Sequence, residues 1–132
     1  MLNQLATEIH ENAKSKGFFD SEKNIGEMLC LIHSEVSEAL EADRIGLNAR
    51  WDDYQHFLNK TDADLIHCGE KAGTQFKTAF EGCIKNTFED EMADIIIRVL
   101  VLCAYKGIDI ERHIKAKMRY NASRPHKHGK SY

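Results

Sequence analysis

The stretch NTFEDEMADIIIRVLVLCAY, residues 86–105, decides the fold. From Met92 to Tyr105 it is apolar on every side of a helical wheel except at Asp94 and Arg98, which share one narrow stripe with Glu91. A helix that is apolar all round is buried on more than one side. Carboxylates carried on such a helix are costly to bury unless they are paired or bind a metal.

The neighbouring sequence has the same helical punctuation. Asn86 followed by Glu89 is an N-terminal capping signature, and Gly107 can end the helix. Asn24 followed by Glu27 opens an earlier helix, whose core stripe is expected to be Ile25, Met28, Leu29, Ile32, Val36 and Leu40, ending near Gly46. Leu2, Leu5 and Ile9 form a first stripe that Gly17 can terminate. Asp109 caps a last helix with Ile110, Ile114 and Met118 one turn apart, stopping before Pro125, the only proline. No run alternates with period two. Between Gly46 and Asn86 the periodicity weakens, and so long a structureless loop is unusual in a compact domain. Short helices are expected there at Asp52–Asn59 and Thr74–Ile84. The fold class is all-α: a single domain over residues 1–132, built as a four-helix core or bundle. A partly helical insertion, about residues 47–85, lies between its second and third helices.

At 132 residues the chain has room for one core but not two. Its net charge of −3 hides an asymmetry: from Arg112 onward there are seven Lys/Arg, three His and no acid. Such a segment attracts phosphates, whether on a nucleotide, a nucleic acid or a membrane surface. Cys30, Cys68, Cys83 and Cys103 form no C-x-x-C pair; Cys30 and Cys103 read as buried hydrophobes of a reducing compartment. No leader is expected in the amphipathic opening segment. The longest apolar stretch, Ile95–Ala104, is broken by Arg98 and is far short of a membrane span. The expected location is cytoplasmic.

Two acidic pairs stand out. Glu35 and Glu38 are three apart on the second helix, and Glu91 and Asp94 are three apart on the third. Residues three apart share a helix face. Two such faces brought together would place four oxygen donors around one point, which suits a hard divalent cation and phosphate chemistry. The plain alternative makes Glu35 and Glu38 a solvated face and gives Asp94 an i,i+4 ion pair with Arg98. Acids embedded in so apolar a helix weigh against it. On the last helix Lys117, Asn121 and Arg124 stack on the face that carries Ile110 and Ile114, so they are expected to point inward. Two cations and an amide there are poor packing but good phosphate and sugar ligands; the alternative is a frayed basic end with snorkelling side chains. The tail His126-Lys127-His128-Gly129-Lys130 reads as a phosphate-closing flap.

These residues resemble a known family. Ser34-Glu35-Val36-Ser37-Glu38, followed by Glu91-Met92-Ala93-Asp94, is similar to the E-E-x-x-E … E-x-x-D signature of the MazG-like nucleotide pyrophosphohydrolases, all-α NTP pyrophosphatases. The ending Lys117–Pro125, then His128-Gly129-Lys130, is similar to that of small members of the family. Ser34 stands where the signature has its first Glu, and the spacer from Glu38 to Glu91 is longer than usual. The resemblance implies hydrolysis of a nucleoside triphosphate, with the deoxy form expected, to monophosphate and pyrophosphate. It implies Mg²⁺, with Mn²⁺ as a substitute, held by Glu35, Glu38, Glu91 and Asp94. It also implies nucleotide held by Lys117, Asn121 and Arg124, and a homodimer or homotetramer.

In the expected chemistry Glu38, with Glu35 beside it, takes the proton of the attacking water. Lys117 and Arg124 steady phosphate charge. Trp51 is a candidate to stack on a base, although a lone Trp in an insertion also serves as a packing anchor. The competing function is a non-catalytic helical interaction module whose basic C-terminal segment binds nucleic acid or a partner. Its basic residues are few and not interleaved with aromatics, which argues against nucleic acid. An oxygen-activating dimetal bundle needs Glu-x-x-His, and no His sits three after a Glu.

Overall fold

The computed structural model of the chain describes residues 1–60 and 73–125. The basic tail, Cys68 and Gly69 lie outside the described residues. Among the described residues there are six helices and no strand: α1 Leu2–Ser15, α2 Ile25–Arg44, α3 Trp51–Leu58, α4 Gln75–Cys83, α5 Phe88–Tyr105 and α6 Ile110–Ala122. The two short helices expected in the insertion are α3 and α4. No described helix is long and apolar enough to cross a membrane. The chain divides into two compact units: Met1–Met28 with Ile97–Tyr132, and Leu29–Ile96.

In the first unit, α1 leaves through Gly17, whose φ of +81° is in the left-handed region that glycine enters without strain. The starts of α1 and α6 are tied by Asn3. Its side chain donates to Asp109 Oδ1 at 2.7 Å and accepts from the Glu111 backbone N–H at 3.3 Å. Asp109 also caps α6 by accepting from the Arg112 N–H at 3.0 Å. Phe19 packs edge-on against His10, with ring centroids 4.6 Å apart, and lies 5.3 Å from the Tyr105 ring. The Tyr105 hydroxyl accepts from the Lys23 N–H at 3.2 Å. These contacts fix the segment that leads to the Asn24 cap of α2, where Asn24 Oδ1 accepts from the Glu27 N–H at 3.2 Å. The buried apolar residues of this unit are Ala6, Leu100, Leu102 and Cys103.

In the second unit the buried face of α2 is Glu35, Ala39 and Ala42. This corrects the expected stripe, because Leu29, Val36 and Leu40 are each about half exposed. Cys30, expected inside, is exposed. The start of α5 also differs from expectation. Thr87, not Asn86, is the cap: its hydroxyl accepts from the Asp90 N–H at 3.3 Å, and the Asp90 carboxylate accepts from the Asn86 N–H at 2.9 Å. Asn86 has a φ of 61°, outside the range of an ordinary cap residue. Thr87 is buried, and such a cap contributes about 1 kcal/mol.

The segment between α2 and α3 is pinned along the α4–α5 junction. The Phe88 N–H donates to the Leu47 carbonyl at 2.9 Å, the Ala49 N–H to Glu89 Oε2 at 2.8 Å, and the Arg50 N–H to the Cys83 carbonyl at 3.0 Å. Within α5, Met92 and Ile96 are 41% and 52% exposed. The all-round burial expected of this helix is therefore not met at its second-unit end within one chain.

Candidate metal centre

Three of the four carboxylates singled out from the sequence come together in the second unit. Glu35 and Glu38 are one turn apart on α2, and Glu91 is in the first turn of α5. Each offers a carboxylate oxygen, and these oxygens all lie within 4.8 Å of one another. Glu35 is 6% exposed and Glu91 4% exposed, while Glu38 opens to solvent. Ala39 and Ala42 follow Glu35 on its buried face, so the only large polar group on that face is the carboxylate.

At such separations two unit charges repel by about 3 kcal/mol at an effective dielectric of about 20. Bringing three carboxylates together is therefore costly unless a proton or a positive charge offsets the repulsion. Glu91 registers the cost. Burial first, then the charges of Glu38, Glu35, Asp90 and Asp94, push its carboxyl from 4.5 to about 7. Near neutral pH Glu91 is therefore partly protonated. The donors of the cluster are all oxygen, the set that hard divalent ions take.

Asp94 lies one turn beyond Glu91, half-buried and outside the set of mutual contacts; its charge acts on Glu91. Ser34, which occupies the first position of the acidic motif, points its hydroxyl at Glu38 Oε1 across 3.5 Å, a long hydrogen bond. Asp90 was not singled out from the sequence. It both closes the start of α5 and adds to the charge around Glu91, and its position directly before Glu91 was the available signal.

Trp51, in the same unit, opens α3 and is 58% exposed, so it does not serve as a buried packing anchor here. Its ring meets Tyr54 edge-on at 5.4 Å. The preceding Arg50 holds this turn, with Nη1 3.0 Å from Asp53 and Nη2 donating to the Gly82 carbonyl at 2.5 Å.

Lys117, Asn121 and Arg124 belong to the first unit. Their expected inward orientation is corrected. Lys117 and Asn121 are exposed, Arg124 is half-buried, and Ile114 on the same face is 39% exposed. The Lys117 ammonium and the Arg124 guanidinium both approach the Tyr120 ring, at 5.2 and 5.8 Å from its centroid. Lys117 and Tyr120 face solvent, with Arg124 half-buried beside them.

Comparison with protein-family models, with curated proteins and with solved structures finds no match.

Proposed function

We propose that the chain is a Mg²⁺-dependent nucleoside triphosphate pyrophosphohydrolase, which adds water across the α–β phosphoanhydride and releases a nucleoside monophosphate and pyrophosphate. The observation that carries this reading is the convergence of Glu35, Glu38 and Glu91, two of them buried, within 4.8 Å. Glu35, Glu38 and Glu91 would hold the cation, with Asp94 the adjoining carboxylate. The bound cation supplies charge neutralisation for the triphosphate and a lowered pKa for water. Glu38, the solvent-open member, takes the proton of the attacking water, with the buried Glu35 beside it. Trp51, in the same unit as the cluster, is the proposed base contact, and the family resemblance alone proposes Lys117, Asn121 and Arg124 for phosphate and sugar.

The same proposal includes a four-helix core and a homo-oligomer. Leu29, Val36, Leu40, Met92 and Ile96 of the second unit are all at least 41% exposed, and a second copy of the chain is the proposed cover for them. A second reading rests on the exposed cations of α6: a non-catalytic module that binds nucleic acid or an acidic partner through Lys117 and Arg119, with the half-buried Arg124 just beyond the helix.

One experiment separates the two. The protein is incubated with each common NTP and dNTP plus Mg²⁺, and the products are resolved by ion-exchange chromatography. Monophosphate with pyrophosphate supports the hydrolase. Diphosphate with orthophosphate overturns the bond assignment. No turnover, with salt-sensitive binding to DNA, leaves the module.

A further inference from the structure

We draw no further inference here: the strongest candidate, the cavity of about 410 Å³ that α1 forms with the α5–α6 turn in the first unit, is lined by Asn3, Thr7 and Asp109, which already bond within its wall, and its one unpartnered polar atom, His10 Nε2, is closed off from solvent, so nothing in the structure shows what chemistry would occupy it.

Discussion

Asp109 and Glu91 are both acids at the start of a helix, where the macrodipole favours a negative charge, yet the molecule treats them in opposite ways. Asp109 is exposed, and two donors converge on it. The Asn3 side chain and the Arg112 N–H hold its carboxyl below the usual carboxylate range. Glu91 is 4% exposed and meets burial and four other carboxylates, which hold it near 7. A helix start tolerates either environment, so the dipole does not decide. The difference lies in what the neighbours supply: hydrogen-bond donors around a structural cap, further acceptors around the candidate metal centre. A protein that gathers acceptors around an acid gives up stability there, and a bound cation would offset the loss.

The sharpest way to break this contrast is catalytic. Glu38→Gln is expected to lower kcat for pyrophosphate release by about 100- to 10,000-fold, the range of a lost general base. Asp109→Asn should leave kcat within about twofold, a small change for a residue with no part in proton transfer. A Glu38→Gln protein that is folded and turns over nucleotide at the wild-type rate would remove Glu38 from the chemistry.

The next test is stability. With chelator present at pH 8, Glu91→Gln is expected to raise the stability read from urea unfolding by up to about 3 kcal/mol, because it removes a charge whose folded-state pKa lies well above the unfolded one. It should also weaken the rise in melting temperature expected from Mg²⁺ binding to the wild-type protein. Loss of stability in chelator would show that the Glu91 charge is favourably held. Asp109→Asn should lower the melting temperature with or without Mg²⁺.

The pH dependence separates the same two acids by sign. The raised pKa of Glu91 means that its favourable contribution is fully present below pH 4.5 and is lost as pH rises through about 7. The lowered pKa of Asp109 stabilises above the unfolded carboxylate value, and that contribution is lost as pH falls through the folded value. Unfolding midpoints in chelator, followed from pH 4.5 to 8, should show a wild-type decline that Glu91→Gln flattens and Asp109→Asn does not. The smallest effect is expected at Thr87→Ala, a loss of about 1 kcal/mol for the buried cap of α5, with Mg²⁺ affinity unchanged by calorimetry.

Helix ends were largely legible in the sequence. Asn24 and Asp109 cap as their side chains predict, and Gly17 and Gly107 take positive φ just beyond α1 and α5. The one displaced cap, at Thr87, follows from Asn86 tolerating a left-handed backbone, which hands the capping role to the next hydroxyl. Burial was less legible. Hydropathy ranks Leu29, Val36 and Leu40 above Ala39 and Ala42, but α2 buries the alanines, whose small side chains allow close approach beside Glu35. The expected core stripe therefore left out Glu35, which lies on the buried face. Spacing put Glu35 with Glu38 on one helix face and Glu91 with Asp94 on another; that the first three meet is seen only in the structure. The outward turn of Lys117 and Asn121 was not legible, because the alternation of Ile110 and Ile114 on their face looked like a core stripe.

The hydrogen bond from Asn3 to Asp109 joins residues 106 positions apart, and the first unit is assembled from two stretches of chain on either side of the second. That division orders events on the ribosome. The contiguous unit 29–96 can complete its own contacts while the remainder is still being made, whereas the discontinuous one must wait for the last helix. The carboxylate cluster lies wholly in the early part, so the nascent chain would carry Glu35, Glu38 and Glu91 together before the cationic helix has emerged. Arrested chains of increasing length, probed by limited proteolysis with and without Mg²⁺, should acquire a protected second unit first.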